Sequence, residues 1–302
     1  MQTSRADVAD LIYFLAIARH RSFSRAAVEI GVSASALSHA LKGLETRLGV
    51  RLFNRTTKSV TLTAAGDALA QSVLEPFEAI GGALESLNRF RDTPSGRIRI
   101  NAAVEAANLL LAPVMPAFMD RYPDVEIDIV ASNRLVDVTD AGFDAGIRYG
   151  GTVPEDMVAR RLSADIRWVI AASPDYLERY GTPGHPEDLL NHRCVSNRLG
   201  DDRIYRWELE RAGETFQITV PTSVTVNQAE TGLVAVLGGA GLMYFPEPLV
   251  APYVRDGRLI LVLTEWSPLE DGFHIYYSSR RQLPTGLRLL IEFIREARPL
   301  GL

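Results

Sequence analysis

A single cysteine, Cys194, stands in a chain of 302 residues, so no internal disulfide can form, which fits a reducing compartment. No apolar run approaches the length of a membrane span. The opening MQTSRADVADL also lacks the apolar core behind a basic start that a secretory signal requires, and a cytoplasmic location is expected. Residues for catalysis are equally scarce. Cys194 follows His192 and His185, the residue types of a nucleophile or a metal site, yet no further ligand comes at a recognisable spacing. The run LGGAG at 237–241 lacks the Lys-Ser/Thr of a phosphate loop and the spacing of a dinucleotide fingerprint, and it reads as a helix-to-strand turn. No catalytic residue, metal or cofactor is expected.

What the chain does have is an uneven charge. Of its net −5, residues 1–62 carry nine Lys/Arg against four Asp/Glu, which leaves a head of +5 on a body of −10. A basic head on an acidic body suits nucleic-acid binding by the head alone. The length suggests about two or three folded units.

The stretch Ser24 to Leu48 presents two short amphipathic helices hinged at Gly31. In the second, Leu37, Leu41, Leu44 and Leu48 form one buried stripe. Ser35, Ser38, His39 and Lys42 fall at i, i+3, i+4 and i+7 on the other face, a row of small donors and one cation shaped for base edges in a major groove. Ser33 precedes them as an N-cap. This is a helix-turn-helix pattern, although an antiparallel pair in a helical bundle would show the same periodicity. A first helix over 7–19 packs beneath, with Leu11, Phe14, Leu15 and Ala18 on its stripe. The segment GVRLFNRTTKSVTLT alternates and predicts a hairpin with Arg55, Thr56, Thr57 and Lys58 at its tip, a wing whose cations would meet phosphates or a minor groove.

Thr63 is the expected N-cap of a long helix running to about Arg89, with Leu69, Val73, Phe77, Ile80, Leu84 and Leu87 nearly on a heptad seam. With nothing of its own chain to cover that seam, a second subunit is the expected partner. Pro76 and the pair Gly81-Gly82 predict bending. The cluster RDTPSG at 91–96 then marks a boundary. Beyond it, strands are expected at 97–104, 125–131, 143–148, 167–172 and 273–278, and helices at 109–121, 174–179 and 285–296. That alternation predicts parallel sheets covered by helices, with WVIAA and VEIDIV buried on both sides.

The sequence resembles the LysR-type transcriptional regulators over essentially its whole length. DVADLIYFLAIARHRSFSRAAVEIGVSASALSHALKGLETRLGVRLFNRTTKSVTLTAAG looks like the family's winged helix-turn-helix and the start of its linker helix. RYPDVEIDI, GFDAGIRYG, ARRL, ASPDYLERYG and PEDLLNHRCV look like its effector domain, and VPEDMVARRL, IYRWELER and YYSSRRQLP resemble one large branch of the family. The resemblance implies a winged helix-turn-helix over 1–62, a linker and dimerisation helix over 63–90, and a two-lobed α/β effector domain over 91–302, similar to periplasmic binding proteins. Lobe one would be about 97–162 and 267–302, and lobe two about 163–266. It further implies double-stranded operator DNA, a small-molecule effector in the interlobe cleft, RNA polymerase as a partner, and a homodimer or homotetramer. Many members carry Gln and Arg where Ala34 and His39 stand, so both direct base readers are altered here.

The positions matching the family's DNA contacts are Ser33, Ala34, Ser35, Ser38, His39 and Lys42 on the helix, with Arg55 and Lys58 on the wing. Ligands of open α/β sheets bind at strand ends, which points to Glu105, Ala106, Ser132, Asn133, Arg148 and Tyr149 in lobe one, and Asn197, Arg198, Asn227 and Phe245 in lobe two. Glu105 and Arg148, opposite charges at neighbouring strand ends, are expected to pair. Left unpaired, Glu105 would reject carboxylates and favour an amine or hydroxyl donor. The alternative to a regulator is a cytoplasmic solute-binding or enzymatic α/β protein whose helical head serves only assembly.

Overall fold

Three caps set the helices of the head. The computed structural model describes residues 5–55, 59–86, 94–154, 156–278 and 283–302. Helix α1 spans Arg5–His20, α2 Phe23–Ile30 and α3 Ala34–Leu48. Ser22 rather than Ser24 opens α2, and Ser33 opens α3, its Oγ accepting from the Ala36 amide at 3.1 Å. Between them Gly31 sits at φ +74, where a side chain would be strained, and its amide bonds back to the Ala27 carbonyl. Phe14, Ile17, Ala26, Leu37, Leu41 and Leu44 bury fully against one another, and Leu48 is half-buried. On the outside, Arg47 of α3 donates to Asp7 at 2.9 Å and to Asp10 at 2.5 Å on α1. The hairpin is short: β1 Phe53–Arg55 pairs antiparallel with β2 Val60–Leu62. Its expected tip, Thr56 to Lys58, lies outside the described residues.

Helix α4 covers Ala64–Ser86, and Thr63 caps it, Oγ1 accepting from Gly66 at 3.0 Å. The expected seam divides here. Leu69 and Val73 pack against the head's own core, together with Ala65 and Ala70, because the first turns of α4 lie on α1 and the hairpin. The expectation that nothing in the chain covers that stripe is therefore corrected for its first half. Farther along, Ile80 is 56% exposed. The side chain of Leu84, and Leu87 to Arg89 altogether, lie outside the described residues.

The chain divides into two compact units, one of Met1–Phe90 with Asp140–Gly142 and one of Arg91–Thr139 with Phe143–Leu302. The second runs β3 Gly96–Ala102, α5 Val104–Ala106, a π turn over Ala107–Leu111, α6 Met115–Arg121, β4 Val125–Ala131, β5 Ala145–Tyr149, β6 Val158–Arg161, β7 Ile166–Ala172, α7 Pro174–Tyr180, β8 Cys194–Asn197, β9 Trp207–Arg211, β10 Glu214–Ile218, β11 Thr222–Val226, α8 Ala229–Leu237, β12 Met243–Pro246, α9 Glu247–Arg255, β13 Ile260–Val262, β14 Leu269–Glu270, β15 Phe273–Tyr277 and α10 Thr285–Ala297. Gly238 to Gly241 form the turn from α8 to β12, as the LGGAG run predicts. These elements build two α/β subdomains. One is a sheet in the order β4-β3-β5-β15-β6, and the other is centred on β7, which β12, β13 and β14 all flank.

Several expectations change. The sheets are not all parallel: β3 pairs parallel with β4 and β5, but β15 runs antiparallel to both β5 and β6, and every partner of β7 is antiparallel. Alternation of strands and helices fixes order, whereas direction depends on the edge by which the chain returns from the other subdomain. Strand β4 is not buried on both sides. It is the sheet's edge, where Asp128 takes Arg97 at 3.0 Å and Arg99 at 2.9 Å from β3, and Val130 is 37% exposed. The first strand ends at Ala102, and Val104 begins α5, its amide donating to Asn133 Oδ1 at 3.0 Å. The helix expected over 109–121 starts earlier and is interrupted, since Pro113 has no amide to continue it.

Leu41, with no exposure at the centre of the head, gives a stability test. Leu41→Ala leaves a cavity between α1 and α3 and is expected to destabilise the head by about 2 to 5 kcal/mol. Faster amide hydrogen exchange across α1 and α3 of the full chain, with β3 to β5 unaffected, is the expected readout.

Candidate DNA-reading face and effector cavity

Helix α3 turns its leucines inward and leaves Ser33, Ala34, Ser35, His39 and Lys42 exposed, with Ser38 half-buried. The wing is tied to this row. Arg55 Nη1 donates to Ser38 Oγ at 3.1 Å, its guanidinium lies 4.4 Å over the Phe23 ring, and Nη2 stands 4.0 Å from Glu45. Glu45 also takes the Leu52 amide at 2.7 Å and so fixes the chain entering the hairpin. Helix and wing thus enclose a groove of about 610 Å³ lined by Ser38, Lys42, Thr46, Arg51 and Arg55. Thr46 and Arg51 escaped the sequence reading, because only the fold of the hairpin back along α3 brings them beside Lys42. Lys58 lies outside the described residues.

In the second unit, a cavity of about 460 Å³ opens between the two subdomains. Of the residues expected at strand ends, Glu105, Asn133, Arg148, Tyr149, Asn197, Arg198 and Asn227 line it. Three do not. Ala106 is fully buried in the first sheet's core, and Ser132 opens onto an adjoining hollow of about 190 Å³ that shares Asn133, Arg198 and Asn227 with the cavity. Phe245 packs behind β12 with Val169 and Val250, while the neighbouring Tyr244 points the other way and stacks on Trp168 at 5.2 Å. Side chains alternate along a strand, and the sequence reading chose the wrong parity. Trp168, Tyr205 and Glu270 line the cavity without having been expected: Trp168 stands near the start of its strand rather than at its end, and Tyr205 and Glu270 come from segments with no expected strand.

Arg148 does not pair with Glu105. The guanidinium, only 4% exposed, donates through Nη1 to the Asn101 and Ile147 carbonyls at 3.1 and 2.8 Å, and through Nη2 to the Arg134 carbonyl at 3.0 Å and to Asn101 Oδ1. Three carbonyls and Asn101 take both Nη groups, while Nε is buried without a partner among the described residues. Burial pushes the Glu105 carboxyl above its usual range and Glu230 adds to this, while Asn133 and Arg148 offset only part. Burial also raises Glu270, with Glu208 adding to the shift. The two subdomains touch beside the cavity: Asn133 Nδ2 donates to the Asn227 carbonyl at 3.3 Å and Asn108 Nδ2 to Glu230 Oε1 at 2.6 Å. Gly200 permits this approach, because a Cβ there would stand 1.9 Å from the Asn133 carbonyl oxygen.

A winged helix-turn-helix with an exposed polar row, in one chain with two α/β subdomains around a cavity, defines a ligand-responsive DNA-binding regulator. Residues 8–67 match the model of the bacterial regulatory helix-turn-helix protein, lysR family, and residues 91–299 that of the LysR substrate binding domain. The chain belongs to the LysR family of transcriptional regulators, with a DNA-binding head and an effector-binding domain, and is not an enzyme. It is 39% identical over 291 residues to the HTH-type transcriptional regulator YcaN of Escherichia coli K12, covering 96% of this chain and 95% of that one. Identity to PgrR of the same organism is 36% over 293 residues, covering 96% and 98%. Among solved structures, it is similar to full-length AphB, the Vibrio cholerae virulence activator, with a TM-score of 0.66 at 25% identity over 96% of this chain and 99% of that one. It is likewise similar to CrgA of Neisseria meningitidis, with a TM-score of 0.61 at 27% identity over 98% and 99%.

Cys194 sits apart from both sites, fully buried, and burial pushes its thiol up to about 12. His192 beside it faces Tyr176, whose hydroxyl lies 3.1 Å from Nδ1. Among the described residues no group of three His, Cys, Asp or Glu is placed to hold a metal, and no helix is long and apolar enough to cross a membrane. A buried neutral thiol is a poor nucleophile. Iodoacetamide at neutral pH is therefore expected to leave the native chain unlabelled and to label it once in denaturant, as read by intact mass.

Proposed function

We propose that the head binds a promoter operator with α3 in the major groove, and that a small molecule in the cavity modulates this binding. Ser33, Ala34, Ser35, Ser38, His39 and Lys42, with Arg55 and Lys58 of the wing, form the DNA-contacting set, to which the groove adds Thr46 and Arg51. The observation that carries this reading is the Arg55 to Ser38 hydrogen bond, which makes wing and helix one continuous basic surface. Lys42 and Arg55 supply phosphate contacts, while Ser38 and His39 supply base reading. Ala34 has no hydrogen-bonding group and offers only apolar contact, such as to a thymine methyl.

The functional division we infer is DNA binding by 1–62, linkage and dimerisation by 63–90 and effector binding by 91–302. Exposed Leu74 and Ile80 on α4 support a homodimer or homotetramer, and an operator-bound regulator in the cytoplasm would be placed to meet RNA polymerase. Glu105, Asn133, Arg148, Tyr149, Asn197, Arg198 and Asn227, joined by Trp168, Tyr205 and Glu270, form the effector set.

Gel shifts of the promoter fragment upstream of the chain's own gene, repeated over a salt series, test the head. Lys42→Ala is expected to weaken binding to every duplex and to lower the salt slope by about one. His39→Ala is expected to change preference among operator variants by about 1 to 3 kcal/mol at one base pair. Unaltered affinity and preference in His39→Ala would remove it as a reader, and unaltered salt dependence in Lys42→Ala would remove it as a phosphate contact.

A further inference from the structure

We propose that the effector is an organic cation: a protonated amine carried on a flat apolar body that also bears a neutral oxygen. The proposal rests on the cavity being the effector site and adds the ligand's chemistry. Two carboxylates, Glu105 and Glu270, line the cavity, and among the described residues neither belongs to an ion pair, although Asn133 hydrogen-bonds Glu105. The cations that share the lining are engaged in part: among the described residues Arg148 keeps only Nε without a partner, and Arg198 uses a single nitrogen. Arg148 is surrounded by three carbonyls and Asn101, Arg203 holds Asp201 at 2.6 Å, and the exposed Arg198 donates to the Asp202 carbonyl at 3.1 Å. An anion entering here would face half-desolvated carboxylates and find a single buried Arg148 N–H rather than a guanidinium fork, whereas an ammonium group would be met by either carboxylate.

The walls specify the rest. Trp168 lies between Tyr149 and Tyr205, at 5.6 and 6.3 Å between ring centres, a surface suited to a flat ring and to the cation beside it. Leu135 and Leu199 at the mouth extend the apolar lining. The Tyr149 hydroxyl and Trp168 Nε1 are buried on this wall with no hydrogen-bond partner, and Tyr149 feels the carboxylates Glu105, Glu270 and Glu230. With Arg148 Nε these make three unsatisfied donors on a lining that also carries carboxylates, and they call for an uncharged acceptor on the ligand, one that adds no negative charge.

The test is calorimetric titration of the full chain with three probes of one shape: 2-phenoxyethylamine, 2-phenoxyethanol and phenoxyacetate. The amine is expected to bind at least about tenfold more tightly than the acid, with the alcohol between them. At least one of Glu105→Gln and Glu270→Gln is expected to weaken the amine about tenfold, the scale of one charge-assisted hydrogen bond, without lowering the melting temperature. The fluorescence change that disappears in Trp168→Phe reports occupancy of the cavity. Acid binding that equals or exceeds amine binding overturns the proposal, as does an amine affinity unchanged in both glutamine variants or absent in the millimolar range. Should the acid bind and change Trp168 emission, the cavity reading stands and the amine falls. Should the amine bind without touching Trp168 emission, the cavity reading falls with it.

Discussion

The buried guanidinium of Arg148 is the constraint on which the effector-binding domain depends. A positive charge taken out of water must be surrounded by oxygen, and here the oxygens belong to Asn101 at the end of β3, Ile147 in β5 and Arg134 in the loop after β4. Three chain segments distant in sequence are thereby held to one side chain. Asn101 extends the network, its own amide donating to the Val130 carbonyl at 3.3 Å. The strand ends that wall one side of the cavity are thus fixed by a charge held by carbonyl oxygens, with Glu105 near enough to feel it but not in an ion pair with it.

The same logic places the aromatic residues. Trp168 opens the run of β7 that continues into the buried Val169, Ile170, Ala171 and Ala172, and it stacks on Tyr244 from β12 across an antiparallel register. A strand paired on both sides is a rigid base for a binding wall. The opposite subdomain meets it at Asn133 and Gly200, where backbone approaches backbone so closely that only glycine fits. Cavity shape is therefore set by sheet geometry and one permissive residue more than by flexible loops.

In the head, the polar row of α3 and the cation of β1 become one surface because Glu45 organises the turn between them. It accepts amides of Leu52 and Phe53 and lies 4.0 Å from Arg55. A carboxylate inside a basic face is a positioning device: it holds a loop that would otherwise present its arginine in many orientations. Helix α4 then has two different partners along its length, its own head at Leu69 and Val73 and open surface at Ile80. That division explains why one periodic stripe in the sequence does not map onto one interface.

Local signals carried the helices and the family. The spacing of Leu37, Leu41 and Leu44, the caps at Ser33 and Thr63, the turn at Gly31 and the asymmetry of charge are properties of neighbouring residues, and they follow from helical periodicity and backbone sterics alone. The strand at 125–131 and the helix expected at 174–179, found as Pro174–Tyr180, were legible from equally local patterns. What the sequence could not decide were relations between distant segments. Strand direction in the two sheets, the exposure of β4, the facing of Tyr244 against Phe245, and the arrival of Trp168, Tyr205 and Glu270 at the cavity all depend on which edge the chain returns to. The fate of Arg148 belongs to that group as well: its nearest charge in the strand-end scheme was Glu105, but three carbonyls from three segments reach it first, and only the folded chain brings them there.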